Sequence, residues 1–160
     1  MITYKQNPQL DFQAVLDLYA SVGWTGYTRH PEMLEKALKH SLLVLAAFDG
    51  DRLVGLLRAV GDGHSIVFIQ DILVLPTYQR QGIGRQLLEQ AIACFPGIYQ
   101  LHLLTDNTEK TRSFYEAIGF TAVDSLDCVA YTSSCTCAIS SGLFYLFFFF
   151  KQKTAYEIKW

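Results

Sequence analysis

The segment with the clearest capacity for chemistry runs from Val74 to Arg85, VLPTYQRQGIGR. An apolar stretch leads into a polar loop, and two glycines, Gly82 and Gly84, stand where a helix is predicted to begin. Free amide hydrogens at a helix start, together with the helix dipole, form a site that suits phosphate. Glycine has no Cβ, so the backbone can approach a ligand closely. Arg80 and Arg85 add positive charge beside this predicted phosphate site.

Two well-known phosphate loops do not match the segment. A P-loop would end in Gly-Lys-Ser/Thr, and a dinucleotide-binding loop would have a third glycine where Leu87 stands. Gln-x-x-Gly-x-Gly after a Val-x-Pro strand end instead resembles the acetyl-CoA pyrophosphate loop of the GCN5-related N-acetyltransferases, the GNAT family. A flexible helix start is the alternative for Gly-x-Gly alone, but the whole string from Asp71 to Arg85 is much more specific.

A second segment supports this resemblance. Phe114–Phe120, FYEAIGF, is similar to a Phe-Tyr-Glu-x-x-Gly-Phe stretch near the end of the same family, and it follows Gly84 at the spacing the family shows. Taken alone it would be an amphipathic helix that ends at a glycine. The resemblance covers about residues 1–130, which we interpret as one GNAT N-acetyltransferase domain.

The resemblance implies that acetyl-CoA is the cosubstrate. In the family, the strand ending near Val74 diverges from the next strand, and the pantetheine arm lies between them against exposed backbone groups. One backbone N–H there would stabilise the charge that develops on the thioester oxygen. The cofactor-binding residues implied in this way are Ile72, Leu73, Val74, Gln79, Arg80, Gln81, Gly82, Ile83, Gly84, Arg85 and Asn107.

The resemblance also implies the chemistry. A neutral amine attacks the acetyl carbonyl directly, so no protein nucleophile is expected. Tyr115 would protonate the departing CoA thiolate, with Phe114 packed inward, and the alternative for Tyr115 is a core tyrosine. Asp71 is the best candidate base for the incoming ammonium, directly or through water, because it stands beside the expected acetyl position. The alternative for Asp71 is a structural aspartate bonded to nearby backbone.

The sequence departs from the family's pattern in two places. Many members have an asparagine seven residues before the catalytic tyrosine, where this chain has Thr108; Asn107 stands one residue earlier and is also a candidate helix cap. The predicted strand Tyr99–Leu104 lacks the acidic residue that many relatives use as a base, and His102 there is expected to be an ordinary strand residue. These departures leave open a non-catalytic acyl-CoA-binding or sensing domain on the same fold.

The acceptor is expected to be an amine of a small molecule or a peptide. Trp24 and Tyr27, in a predicted loop, are candidates for lining its pocket, because loop aromatics offer apolar area with a polar tip. Packing over the helix ends is the alternative for both. The resemblance implies a homodimer as one option, which no residue here decides.

Hydrophobic periodicity and turn signals predict the elements that must position these residues. Three strands joined by hairpins precede a β-α-β crossover, which predicts an α/β (α+β) domain with a mixed, mostly antiparallel sheet flanked by helices. Ser21–Arg29 is expected to be a loop. Helices are predicted after Asp11, after Pro31, from Ile83 and over Glu109–Ile118. Strands are predicted at Ile2–Lys5, Leu42–Phe48, Leu53–Val60, Ser65–Leu75, Tyr99–Leu104 and, last, Thr121–Val123 with Cys128–Tyr131.

Composition favours a soluble intracellular domain, which we expect to be cytoplasmic. Apolar residues make up 51% of the 160, charged residues 18%, and the net charge is −2, which gives no reason to expect nucleic acid or a membrane surface as a partner. Met1–Pro8 is polar and unlike a secretory signal. The His and Cys residues have no metal-ligand spacing, so no metal is expected.

The last thirty residues differ from the rest of the chain. No charged residue occurs between Cys128 and Phe150, and Phe147–Phe150 fits neither strand nor helix periodicity. Lys151–Ile158, KQKTAYEI, resembles the in-frame translation of a sequencing-library adapter. We therefore expect residues 131–160 to be a non-native apolar tail that follows a frameshift, and the alternative is a genuine tail that docks on a partner or membrane. Either way, the four phenylalanines favour aggregation.

Overall fold

A computed structural model of the chain describes residues 1–131, so nearly all of the predicted tail lies outside the described residues. The strands are β1 (Ile2–Gln6), β2 (Leu43–Asp49), β3 (Arg52–Gly61), β4 (Ile66–Val74) and β5 (Gln100–Leu103). The helices are α1 (Phe12–Ser21), α2 (Thr25–Thr28), α3 (Pro31–Lys39), α4 (Ile83–Ala93) and α5 (Glu109–Glu116). Short 3₁₀ turns cover Pro76–Tyr78 and Val123–Leu126.

One sheet with strand order β1-β2-β3-β4-β5 organises the described residues. The first four strands pair antiparallel, and β5 pairs parallel to β4 after the crossover through α4. The predicted mixed sheet is therefore confirmed. Its strands form where long apolar runs are separated by Asp-Gly and Gly-Asp-Gly turns.

Helices cover both faces of this sheet. Apolar residues of α4 and α5 pack on one face, and those of α1 and α3 pack on the other. Gly55 of β3 permits close packing against α4, because a Cβ there would lie 3.3 Å from side-chain atoms of both Ile83 and Leu87. The residues that bury the first face include Leu57, Val67, Leu87, Leu88 and Tyr115, and those on the second include Val15, Leu18, Tyr19, Leu34 and Leu56.

Helix boundaries follow local capping chemistry. Asp11 is the N-cap of α1, where its carboxylate accepts from the Gln13 amide at 3.0 Å, and Pro31 begins α3. Thr108 caps α5 by accepting from the Thr111 amide at 3.3 Å. Asn107 is therefore not the cap of that helix.

Two of the predicted elements are wrong. The Ser21–Arg29 segment is not all loop, because α1 extends through Ser21 and α2 follows the left-handed turn at Gly23, with φ of +79°. The last predicted strand is not formed within residues 121–131. Val123–Leu126 closes a 3₁₀ turn there instead, and Asp127 leaves it in a left-handed conformation with φ of +54°. No helix within residues 1–131 combines the length and apolar character needed to cross a bilayer.

Candidate active site

The centre of the site is the point where β5 leaves β4. The two strands pair only over Ile66–Ile69 and Gln100–Leu103. Arg58 pairs with Asp71 and Ala59 with Ile69, so Gln70 is the extra residue of a β-bulge in β4. Beyond this bulge the β5 side of β4 has no strand partner among the described residues. Its backbone N–H and C=O groups can pair with an extended ligand there.

The start of α4 forms the second part of the site. Gly82 is the N-cap, with φ of +79°, and no side chain caps the helix. The first turn contains no acidic residue, so the amides of this turn and the positive end of the helix dipole are available to an anion. Arg80 is exposed beside them, has φ of +64° and forms no ion pair within residues 1–131.

A narrow pocket joins the unpaired part of β4 to this helix start. We call it the loop pocket, and it unites most of the predicted cofactor-binding residues. Within it, the Gln79 side-chain amide donates to the Val74 carbonyl at 3.0 Å, which ties the loop to the end of β4. Its lining consists of Ile72, Leu73, Val74, Tyr78, Gln79, Arg80, Gly82, Ile83, Gly84 and Phe114.

Three predicted cofactor-binding residues are not in the lining of the loop pocket. Gln81 donates to the Thr77 carbonyl at 3.3 Å, and Arg85 pairs with Glu89 at 2.7 Å on the exposed side of α4. The Asn107 side-chain oxygen accepts from Arg112 at 2.6 Å. Their predicted cofactor contacts stay predictions.

Phe114 and Tyr115 are placed differently from expectation. Phe114 is half-buried and lines the loop pocket, whereas Tyr115 is 5% exposed and belongs to the core. Tyr115 also lines a neighbouring cavity of about 280 Å³ between the end of β5 and the 120–124 segment. The two rings are in edge contact, with centroids 5.0 Å apart, so Tyr115 lies one ring away from the loop pocket.

Asp71 lies in a buried polar cluster rather than at a cavity surface. It is 2% exposed, and its Oδ2 accepts from Arg58 Nε at 2.6 Å and from the Tyr19 hydroxyl at 2.8 Å. Its Oδ1 accepts from the Tyr27 hydroxyl at 3.0 Å. Because Asp71 is buried behind these side chains, direct contact with a substrate ammonium would require the cluster to open. The alternative for Asp71, a structural aspartate bonded to nearby backbone, also differs from the structure, because the partners of Asp71 here are side chains.

The pKa values in this polar cluster follow from burial and from its one ion pair. Burial, and then the negative charge of Asp71, raise the pKa of Tyr19 well above its ordinary value and raise the pKa of Tyr27 in the same direction. Burial opposes the charge of Arg58, but Asp71 beside it holds the pKa of the guanidinium above its usual range. Both phenols therefore stay protonated and can donate to the carboxylate.

Trp24 and Tyr27 lie together beside this cluster, but neither is in the lining of the loop pocket or of the neighbouring cavity, so their role at an acceptor pocket stays a prediction. Their rings stack with centroids 5.9 Å apart and an interplanar angle of 30°. Trp24 is 8% exposed, and its Nε1 has no hydrogen-bond partner among the described residues. Tyr27 is half-buried, and its hydroxyl also lies 3.4 Å from the exposed Gln70 amide nitrogen.

Arg58 is a residue that the sequence analysis missed. It stands among apolar residues in the middle of strand β3, opposite Asp71 in the β3–β4 register. An arginine and an aspartate, each inside the apolar part of one of two strands joined by a hairpin, are the signal that could have revealed the pair. Within residues 1–131, no group of three or more His, Cys, Asp and Glu side chains is arranged to hold a metal ion.

Comparison with known proteins decides the family. A family model described as "Acetyltransferase (GNAT) domain" matches residues 39–122, which is more than half of the chain. The chain belongs to the GNAT family. An acetyltransferase of the GNAT family from Streptococcus pneumoniae TIGR4 has a solved structure that matches with a TM-score of 0.76 and 48% identity, over 84% of this chain and 98% of that one.

Two further proteins extend the comparison. Serotonin N-acetyltransferase 2, chloroplastic, of Oryza sativa subsp. japonica is 31% identical over 115 residues, or 69% of this chain. The match covers 56% of that protein, so this chain spans little more than half of its length. The PaiA N-acetyltransferase of Thermoplasma acidophilum, solved with coenzyme A, shares the GNAT fold at 20% identity and a TM-score of 0.63, over 76% of this chain and 90% of that one.

Proposed function

We propose that this GNAT protein is an N-acetyltransferase that moves the acetyl group of acetyl-CoA to a primary amine of a small molecule or peptide. The observation that carries the proposal is the loop pocket, which connects unpaired β4 backbone at Ile72–Val74 to the uncapped start of α4. Acetyl-CoA has an extended pantetheine arm that would lie along the β4 backbone and a diphosphate that would lie at the start of α4. When bound, acetyl-CoA supplies a thioester whose carbonyl carbon accepts the amine nitrogen.

The residues of the loop pocket have separate tasks in this proposal. The amides at Gly82–Gly84 bind the diphosphate, and Arg80 adds a charge-assisted contact. The β4 backbone beyond Gln70 pairs with the pantetheine arm, and one of its N–H groups stabilises the charge that develops on the thioester oxygen. The protein needs no nucleophile of its own, because the amine attacks directly.

Tyr115 is the proposed acid for the CoA thiolate. Its ring contacts Phe114, which lines the loop pocket, and Tyr115 itself lines the neighbouring cavity. For the amine proton, Asp71 remains the proposed base through the half-buried Tyr27 or a water. Trp24 and Tyr27 form the proposed acceptor wall. The name of the rice relative, a serotonin N-acetyltransferase, is consistent with an amine acceptor.

The binding step is tested by thermal unfolding and calorimetry with acetyl-CoA. We expect acetyl-CoA to raise the Tm, and Arg80→Ala to weaken its binding by about tenfold, because a charge-assisted contact is lost. Lys39→Ala is the matched control, since this exposed cation pairs with Glu35 on α3, and it should weaken binding much less. Equal effects of the two substitutions, or no Tm shift in the wild type, would contradict the proposed pocket.

Transfer itself is tested by CoA release with a panel of amines. Release that depends on both acetyl-CoA and an amine supports the enzyme. Acetyl-CoA binding without release for any amine would favour a non-catalytic acyl-CoA-binding domain, which the missing carboxylate on β5 makes the second candidate.

A further inference from the structure

The hairpin between β2 and β3 contacts the β4–α4 loop, residues 75–82. Asp49 ends β2 and Arg52 begins β3, and the two are cross-strand partners on either side of the turn. The Tyr78 hydroxyl donates to Asp49 Oδ2 at 3.1 Å. The Arg52 guanidinium lies over the Tyr78 ring, 5.6 Å from its centroid. The hairpin therefore holds both the hydroxyl and the ring of one residue of this loop.

Tyr78 connects this hairpin to the loop pocket. Its side chain lines the pocket, whereas neither Asp49 nor Arg52 is in the lining. Tyr78 is half-buried and packs against the core cluster that contains Ile83 and Leu87 of α4. Because Tyr78 belongs both to the pocket wall and to the hairpin contact, whatever fixes its side chain also fixes that wall.

The part of the β4–α4 loop that follows Tyr78 has a backbone conformation that must be held. Arg80 has φ of +64°, in the left-handed region that is costly for a residue with a Cβ, whereas Gly82 adopts φ of +79° without that cost. Such a conformation persists only where the surrounding structure holds it. The bond from Gln79 to the Val74 carbonyl is one anchor, and the Tyr78 hydroxyl, two residues before Arg80, is another.

The carboxylate that holds Tyr78 is ionised. Hydrogen bonds from Tyr78 and from the Met1 amino group hold the pKa of the Asp49 carboxyl below its usual range. A hydroxyl bonds an ionised carboxylate more strongly than it bonds a neutral group. The same negative charge, taken alone, disfavours a diphosphate in the nearby loop pocket. The positioning effect and the charge effect of Asp49 on an anionic ligand therefore have opposite signs.

We propose that Asp49 is a positioning residue for acetyl-CoA: through the Tyr78 hydroxyl it holds the β4–α4 loop in the conformation that presents Arg80 and the first amides of α4 to the diphosphate. This inference rests on the proposed binding of acetyl-CoA at the loop pocket. Asp49 itself does not contact the ligand. It raises the fraction of molecules whose loop is ready to bind, and that fraction sets the apparent Kd.

Calorimetry with acetyl-CoA on single and double variants tests the proposal. Tyr78→Phe and Asp49→Ala remove the same hydrogen bond, and each is expected to raise the Kd by about fivefold. The double variant should also raise the Kd by about fivefold, because one bond is lost only once. Asp49→Asn keeps an acceptor oxygen for Tyr78 and should bind within about twofold of the wild type.

A second carboxylate of the same hairpin provides the matched control. Asp51 lies in the turn, beside Arg52, and is exposed. Asp51→Ala removes a negative charge without touching Tyr78, so it should leave the Kd unchanged or lower it slightly. A merely structural role of Asp49 would lower the Tm of Asp49→Ala without changing its Kd at a temperature where the variant is folded.

The outcomes separate this inference from the proposed function. Unchanged or tighter binding in Asp49→Ala, or a double variant whose Kd rises about 25-fold as two independent effects would require, overturns the positioning role. If Arg80→Ala still weakens binding in that case, the proposed function stands. A wild type that binds no acetyl-CoA contradicts the proposed function, and this inference with it.

Discussion

Phe114 and Tyr115 show how far a motif determines the position of a side chain. The pair was predicted from the sequence alone, but a motif does not say which ring faces the ligand, because that depends on how α5 rotates against the sheet. The structure places Phe114 in the loop pocket and Tyr115 in the core behind it. The role of Tyr115 therefore depends on a phenol that lies one ring away from the pocket lining.

Substitution of that phenol tests its role. Tyr115→Phe should slow turnover by about 10²-fold or more, because the thiolate loses its acid, while acetyl-CoA binding stays intact. Steady-state CoA release and calorimetry measure the two effects. Tyr99→Phe is the control, since Tyr99 is 83% exposed. Turnover in the Tyr115→Phe variant equal to that of the control would remove Tyr115 from the mechanism.

Arg58 and Asp71 show what residue-level reasoning missed. The sequence predicts a functional role for Asp71, but its partners come from three other elements, α1, α2 and β3. Only the β3–β4 register brings Arg58 opposite Asp71. Register depends on the bulge at Gln70, which no turn residue or periodicity announces.

At the scale of elements, the hairpin between β3 and β4 controls the site, because it sets that register. The sequence predicted the five strands and the longer helices, since apolar runs and glycine turns mark them directly. It missed α2, which is only four residues long, and it predicted a last strand where residues 121–131 form a 3₁₀ turn. Short elements depend on tertiary packing more than on local pattern.

Gly61 is the residue of this hairpin least able to change. Its φ is +141°, and a Cβ there would clash with the carbonyl oxygen of Ile66. Gly61→Ala should destabilise the fold by roughly 1–3 kcal/mol or more, measured by chemical unfolding. Gly50→Ala, in a turn with open space around the Cβ position, should cost less. A larger loss for Gly50→Ala would contradict this account of the turn.

Asp62 makes the contribution of the same hairpin to the stability of the fold depend on pH. Hydrogen bonds from Ser65 and from the amides of Ile66, His64 and Ser65 hold the pKa of this carboxyl well below its usual range. Because the pKa of Asp62 is lower in the folded than in the unfolded state, its ionised carboxylate stabilises the fold above the unfolded pKa of about 4. This stabilisation is lost as the pH falls from there toward the folded-state pKa. The Tm of Asp62→Ala should therefore fall less between pH 6 and pH 3 than that of the wild type. Asp51→Ala, in the other hairpin turn, should follow the wild type.

At the scale of the whole molecule, the sheet ends at β5 within the described residues, and apolar side chains beyond it are exposed. Val129 is 69% exposed and Tyr131 is 92% exposed. The sequence predicts that the natural reading frame is lost close to this point. That residues 131–160 are a non-native tail stays a prediction.

Removal of the tail tests that prediction. Residues 1–134 alone should remain in the soluble fraction, while the full chain aggregates, because the uncharged Phe147–Phe150 run is removed. Fractionation and light scattering measure the difference. A soluble full chain beside an aggregating truncation would show instead that the tail contributes to the fold.

A crystal structure determined with coenzyme A tests the central claim most directly. The account predicts the diphosphate within hydrogen-bond distance of the amides at Gly82–Gly84, with the pantetheine arm alongside Ile72–Val74. Coenzyme A bound elsewhere, with these amides and this strand edge free of it, would contradict the account.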